Sequence, residues 1–243
     1  MNAMILAAGR GTRLGALGRG TPKILVELDG EPLLARQIRY LKNGGVDRIV
    51  LNAHHLADQV EDFVAGHPQA GDLQVVVEPE LLGTAGGVRN ALPLLGERPF
   101  VVLYGDVVVE EPIASVVETH ERAGAVATVT VYRTAEVEGK GTVEIAADGS
   151  VSAFQEKSIT RSDRDAYVNA GLYVIDPRLL RDLPAGVELD FGHDVFPAAL
   201  RRGERIAAHR LQAPVIDIGT PSALQFARGE SAGDAGSSAQ ADA

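Results

Sequence analysis

Residues 3 to 23 join a short apolar run to a loop in which Gly9, Gly11, Gly15, Gly18 and Gly20 are interleaved with Arg10, Arg13 and Arg19, ending at Pro22-Lys23. Glycines remove Cβ atoms, so backbone amides can close on a polyphosphate, while arginine and lysine bring positive charge to it. A strand, a glycine-rich turn and Pro-Lys in this order predict a phosphate-handling site. It is neither of two familiar phosphate loops. The run Gly, four residues, Gly-Lys-Ser/Thr is absent, and Leu14 stands where a dinucleotide fingerprint needs its third glycine.

Two aspartates follow the same grammar of apolar strand, then acid. Asp106 comes after Phe100–Tyr104 and Gly105, and Asp217 after Val215-Ile216. Each is placed at a strand end, where a hard cation would bridge phosphates or the side chain would cap the next turn.

The elements that must carry these residues alternate. Apolar runs at 3–8, 47–52, 73–78 and 99–104 predict buried strands, with helices near 31–43, 56–65, 84–95 and 111–123 between them. That rhythm predicts right-handed crossovers and a mainly parallel sheet, with ligands at the carboxyl ends of its strands. Residues 9–23, Glu78–Gly87 and Tyr104–Asp106 would all emerge there. From 125 the pattern is strand-rich, with runs at 125–133, 141–146, 151–156 and 167–175 and helical stretches near 177–182, 192–202 and 220–228. Residues 229–243 hold mostly Gly, Ser, Ala, Gln and Asp and predict a disordered tail.

Bulk composition narrows the classes. A chain of 243 residues with 45% hydrophobic content can bury a full core as one domain, divided into halves at 1–124 and 125–228. A net charge of −10 argues against a general nucleic-acid binder, and 5% aromatic residues without tryptophan argue against stacking along a strand. No cysteine is present, so disulfides and thiolate metal sites are excluded. No apolar run reaches a membrane span and no secretion signal is visible, which predicts a cytoplasmic protein.

Taken together, Leu6-Ala7-Ala8-Gly9-Arg10-Gly11-Thr12-Arg13-Leu14, Pro22-Lys23, Leu82-Gly83-Thr84-Ala85-Gly86-Gly87, Gly105-Asp106, Glu156-Lys157, Asn169-Ala170-Gly171 and Asp217-Ile218-Gly219-Thr220-Pro221 resemble the sugar-1-phosphate nucleotidyltransferases. The resemblance covers residues 1 to about 228. It implies an α/β, Rossmann-like three-layer α/β/α fold with a mixed, mainly parallel sheet and a strand-rich sugar-binding lobe. It also implies reaction of a nucleoside triphosphate with a sugar 1-phosphate to give a nucleotide sugar and pyrophosphate, by a monomer or homodimer.

By that resemblance Arg13 and Lys23 are the catalytic residues, and Leu6, Ala8, Gly9, Gly11, Thr12, Arg13, Glu78, Gly83 and Thr84 contact the nucleotide. Tyr104, Gly105, Gly141, Glu156, Lys157 and Asn169 contact the sugar phosphate, and Asp106 and Asp217 bind Mg²⁺. Ser158 replaces the proline that usually follows the Glu-Lys pair. Glu78 occupies the base-recognising position. A carboxylate only accepts hydrogen bonds, and guanine offers two adjacent donors where uracil and thymine offer one, so the expectation is GTP with a mannose- or heptose-type 1-phosphate. The alternatives are a uridylyltransferase acting on an amino-sugar 1-phosphate such as N-acetylmuramate 1-phosphate, and a noncatalytic sugar-nucleotide sensor. The bland reading of Glu78 is a solvated residue before Pro79. His54-His55 and Glu110-Glu111 read as solvated or turn residues, and His193-Asp194 as the cap of a helix.

Overall fold

The computed structural model describes residues 1–9, 11, 20–135, 137, 140–155, 166–212, 215–218 and 223–224. Arg10, Thr12, Arg13, Glu156, Lys157 and the tail from 229 lie outside the described residues.

The first half follows the predicted alternation: β1 (Asn2–Leu6), a hairpin of β2 (Glu27–Leu28) and β3 (Glu31–Pro32), α1 (Leu33–Asn43), β4 (Arg48–Ala53), α2 (Ala57–Ala65), β5 (Leu73–Val77), α3 (Gly83–Leu95), β6 (Phe100–Tyr104), β7 (Val107–Val109) and α4 (Ile113–Ala123). The second half holds β8 (Ala127–Thr134), β9 (Thr142–Ile145), β10 (Val151–Gln155), β11 (Ala166–Ile175), α5 (Arg178–Arg181), one wide helical turn at Phe191–Val195, α6 (Phe196–Arg201), β12 (Ile206–Arg210) and β13 (Val215–Asp217).

Nine strands form one mixed sheet. β5, β4, β1 and β6 run parallel, β11 joins β6 antiparallel, and β9 and β10 extend that side; β8 pairs with β11 and carries β12 in parallel. The strands are buried on both faces because alternate residues enter different cores. Ala3, Ile5, Val101 and Leu103 pack under α1, α2 and α4, whereas Met4, Phe100 and Val102 pack under α3 and the aromatic cluster of Phe154, Tyr173, Phe191 and Phe196. Helix α1 illustrates the pattern. Leu34, Ile38 and Leu41, spaced i, i+4, i+7, are all fully buried, and each such side chain contributes about 1.5–3 kcal/mol on leaving water.

Register matters most for function. Leu6 pairs with Asn52 on one side and Tyr104 on the other, and Asn52 pairs with Val76. The four parallel strands therefore end level, and Ala7–Gly9, His54, Glu78 and Gly105-Asp106 leave the sheet along one rim.

Several boundaries differ from expectation. β1 stops at Leu6 rather than residue 8, because the Ala7 N–H turns to the Asn52 side chain instead of a ladder carbonyl. The predicted helix at 192–202 opens with the wide turn at Phe191–Val195. β12 was not anticipated, since its short run, Ile206-Ala207-Ala208-His209-Arg210, holds one large apolar residue and carries little apolar pattern.

Candidate active site

A cleft of about 390 Å³ opens along that rim, lined by the β1 loop, the β5–α3 turn, the β6–β7 turn and the segment before residue 191. Of the expected site residues, Leu6, Ala8, Gly9, Gly11, Lys23, Glu78, Gly83, Thr84, Tyr104, Gly105 and Asp106 all line it.

At one end stand Lys23 and Asp106. Pro22 starts a tight turn in which the Leu25 N–H bonds the Pro22 carbonyl, and buried Ile24 pins that turn to the core. The ammonium of Lys23 is thereby held 2.6 Å from Asp106 Oδ2, at 12% and 27% side-chain exposure. Asp106 itself is fixed from two sides. The Gly105 N–H bonds the Leu6 carbonyl, and the Gln37 amide donates to the carbonyls of both Tyr104 and Val107. β13 then pairs antiparallel with β7 so that Asp217 lies opposite Val107, and the Ile218 N–H bonds the Asp106 carbonyl. Two aspartates distant in sequence are thus brought near in backbone, Asp106 in the turn before β7 and Asp217 on the strand that pairs with β7.

Among the described residues no group of three or more histidines, aspartates or glutamates gathers as a metal cage. Magnesium does not need one. It commonly binds through one or two carboxylates while phosphates and water complete the shell, and a partly exposed Asp106 carboxylate in the cleft fits that pattern.

At the other end Glu78 is only 1% exposed. Its Oε1 accepts from Asn52 Nδ2 at 2.8 Å, and its Oε2 accepts from the Leu82 N–H at 3.2 Å. Glu78 is therefore no solvated residue before a proline. Burial pushes its carboxyl above the ordinary glutamate value, against the opposing pull of Asn52, the Leu82 N–H and His54. His54 Nδ1 lies 2.8 Å from the Glu78 carbonyl, and since a carbonyl only accepts, that nitrogen carries the proton. His54 is half-buried against the Glu78 backbone, whereas His55 is exposed as expected.

The glycine-rich turn after Glu78 does something other than cradle phosphate. The N–H groups of Ala85 and Gly86, at the start of α3, both bond the Leu189 carbonyl, and the Leu189 N–H bonds Leu82. A Cβ at Gly83 would stand 2.5 Å from the Leu189 carbonyl oxygen, and one at Gly86 2.3 Å from that of Val187; Gly83 also has φ +70°. These glycines admit an irregular segment of the second half, Val187–Leu189, against the helix start. The Thr84 hydroxyl donates to Asp190 Oδ2 at 2.8 Å and accepts from the Phe191 N–H at 2.9 Å. Thr84 lines the cleft, but its hydroxyl joins the two halves of the chain.

Asp190 was not anticipated. Its Oδ1 accepts from the N–H groups of Gly192 and His193, so it, and not His193-Asp194, caps this helical turn. Asp194 instead accepts from the Asp190 N–H. The spacing Asp190, Phe191, Gly192, His193, Asp194 before Phe196-Pro197 was the available signal.

Asn169 lies inside β11, within the predicted strand. It marks a bulge where Oδ1 accepts from the Gly171 N–H at 3.0 Å and Nδ2 donates to the Tyr173 hydroxyl. That hydroxyl reaches Tyr104 at 3.2 Å, and the Gly141 carbonyl accepts the Asn169 N–H at 2.9 Å. Burial raises the Tyr173 phenol far above its usual value, so it stays protonated and available as a donor. Glu111 likewise departs from expectation. It is buried, accepting from Ser115, from His209 Nε2 at 3.2 Å and from the Gln212 N–H at 3.1 Å. Burial pushes its carboxyl up, and those hydrogen bonds outweigh it, leaving it below the ordinary value.

Asn52 and Gln37 were also missed. Each is a polar residue in an otherwise apolar element, and nothing in sequence tells a buried amide from a tolerated surface one.

No helix among the described residues is long and apolar enough to cross a membrane. The chain is 30% identical to the UTP–glucose-1-phosphate uridylyltransferase of Synechocystis over 94% of its length and 63% of that protein. It is 32% identical to the mannose-1-phosphate guanylyltransferase catalytic subunit beta of Xenopus tropicalis over 91% of its length and 62% of that protein. The chain therefore spans less than two thirds of these curated relatives. The crystal structure of HddC from Yersinia pseudotuberculosis complexed with GMP-PN superposes with a TM-score of 0.81 at 27% identity, covering 94% of this chain and 98% of that one. Those likenesses agree with a family model, nucleotidyl transferase, that matches residues 2–231, and the chain belongs to that family.

Proposed function

We propose that this chain transfers a guanylyl group from GTP to a mannose- or heptose-type sugar 1-phosphate, with Mg²⁺, releasing pyrophosphate and forming a GDP-sugar. The observation that carries the reading is a cleft with an anionic acceptor, Glu78, at one end and the Lys23–Asp106 pair at the other. A carboxylate offers about four lone-pair sites, and the protein fills only two of those on Glu78. One remains on each oxygen, the number that the N1–H and 2-amino group of guanine require. The likeness to a guanylyltransferase and to a structure holding GMP-PN supports the same base.

In the reaction a phosphate oxygen of the sugar phosphate forms a bond to the α-phosphorus, and the bond to the pyrophosphate oxygen breaks in line. Lys23 holds the negative charge of the nonbridging α-phosphate oxygens, which grows toward the transition state. The backbone of Leu6, Ala8, Gly9 and Gly11 orients the nucleotide, with Thr12 and Arg13 continuing that loop. Magnesium held by Asp106 and Asp217 would supply charge neutralisation between the phosphates. Tyr104, Gly105, Gly141 and Asn169 serve the sugar phosphate, a role that the resemblance also gives to Glu156 and Lys157. There the Asn169 amide keeps one donor and one acceptor beyond its bonds to Tyr173 and Gly171.

The likeness to a uridylyltransferase favours a second reading, transfer from UTP, including to an amino-sugar 1-phosphate. Pyrophosphate release measured over GTP, UTP and dTTP against mannose-, heptose-, glucose- and N-acetylmuramate-type 1-phosphates separates the two. A GTP preference with a mannose- or heptose-type acceptor is expected. A preference for UTP transfers the chain to the second reading.

A further inference from the structure

Asn52, next to last in β4, lines the cleft at 2% exposure, and the proposed reaction gives it no task. Both ends of its amide are spent on the site. Oδ1 accepts the Ala7 N–H at 2.8 Å, at the point where β1 becomes the phosphate loop, and Nδ2 donates to Glu78 Oε1 at 2.8 Å. Helix α3 closes the pair from behind, since a Cβ at Gly87 would stand 2.7 Å from both Asn52 Nδ2 and Glu78 Oε1. One buried amide therefore ties the triphosphate loop to the base-facing carboxylate.

We propose that Asn52 is a positioning residue for base selection, holding Glu78 in place as an acceptor and fixing its distance from the β1 loop. The proposal rests on the reading of Glu78 as the group that faces guanine. An amide suits the task because it donates to Glu78 without carrying charge and accepts from Ala7 with its other end. A carboxylate at position 52 would keep the Ala7 bond, but two carboxylate oxygens this close must share a proton. The shared proton lies between the two carboxyls and takes up part of the Glu78 charge, so Glu78 becomes a weaker acceptor for the guanine N–H groups.

The surroundings of Glu78 make this measurable. Burial drives its carboxyl up, and the Asn52 donor, the Leu82 N–H and His54, the titratable neighbour, oppose that drive. Removing the Asn52 donor leaves burial less opposed, so Glu78 takes up its proton at a higher pH.

The test measures kcat/KM for GTP and for UTP across pH in the wild type, Asn52→Asp, Asn52→Ala, Glu78→Gln and the Asn52→Ala/Glu78→Gln double variant. Asn52→Asp is expected to lower the GTP:UTP ratio about tenfold or more at neutral pH, and to raise the pH at which the preference for GTP is lost. Asn52→Ala, which avoids the buried carboxylate pair that opposes folding in the first variant, shifts the profile in the same direction by less. In the Glu78→Gln background, Asn52→Ala changes the ratio no further. The proposal is overturned if Glu78→Gln abolishes the preference while both Asn52 variants keep the wild-type ratio and pH profile. A ratio untouched by Glu78→Gln overturns the base reading itself, and this proposal with it.

Discussion

The two ends of the cleft are built on opposite principles. At the base end, Glu78 is almost wholly buried and takes protein hydrogen bonds on both oxygens, inside a frame of Asn52, Leu82 and Gly87. At the phosphate end, Lys23 and Asp106 meet as a partly exposed ion pair on two turns, at a site that also depends on a loop rich in glycine. The first arrangement suits recognition, because a fixed acceptor in a dry wall rejects a base that cannot satisfy it. The second suits transfer, where charge must be met as it develops and where substrate anions can compete with Asp106 for the lysine.

The contrast breaks most sharply at Lys23. Lys23→Ala should lower kcat about 10²–10³-fold with GTP and UTP alike, leaving their ratio unchanged, because the lost charge serves the phosphates and not the base. Steady-state kinetics with both triphosphates checks it; a changed ratio would mean the two ends are not separable. Glu78→Gln strikes the opposite end. It should cut kcat/KM for GTP about tenfold to a hundredfold while sparing UTP, a loss of about 1.5–3 kcal/mol.

The same residue predicts a pH effect. Because burial holds the Glu78 carboxyl above its ordinary value, the native state retains a proton where the unfolded chain has lost it. Ionised burial therefore costs stability in full above the raised value, and the cost fades as pH falls toward the ordinary glutamate range. Guanine preference should decline over that same window, read as the GTP:UTP ratio against pH.

Smaller effects mark the seat between the halves and a site remote from both ends. Gly86→Ala forces a Cβ against the Val187 carbonyl and should cost about 1–3 kcal/mol of stability by thermal unfolding, together with weaker binding of both substrates. Glu111→Gln leaves the Gln212 N–H or His209 with a poorer acceptor and should cost about 1–2 kcal/mol at neutral pH. The Glu111 carboxyl sits below its ordinary value, so its stabilisation is present above the unfolded-state value and is lost as pH falls through the lowered one. The gap between variant and wild type should close in acid, with the GTP:UTP ratio untouched throughout.

Much of the phosphate end was legible in sequence because strand, glycine and acid follow each other locally: Leu6 to Gly9, Pro22-Lys23 and Tyr104 to Asp106 each state their geometry within a few residues. The parallel core was legible for a similar reason, as unbroken apolar runs alternate with helical periods. The frame around Glu78 was not, because Asn52 lies 26 residues away and only register brings it there. Asp190 reaches Thr84 across 106 residues, so the seating of a chain segment on the glycines of the α3 turn could not be read from the turn itself. Glu111 looked solvated beside Glu110, and its burial depends on β12, a strand whose pattern is too weak to predict.

The central claim, that this cleft joins a nucleoside triphosphate to a sugar phosphate, is tested most directly by phosphorus NMR of wild-type protein mixed with GTP, mannose 1-phosphate and Mg²⁺. The account predicts that pyrophosphate and a diphosphate-linked sugar nucleotide appear in equal amounts, and only when both substrates are present. Pyrophosphate formed without the sugar phosphate, or no diphosphate-linked product with any triphosphate and any of the sugar phosphates named above, would contradict it.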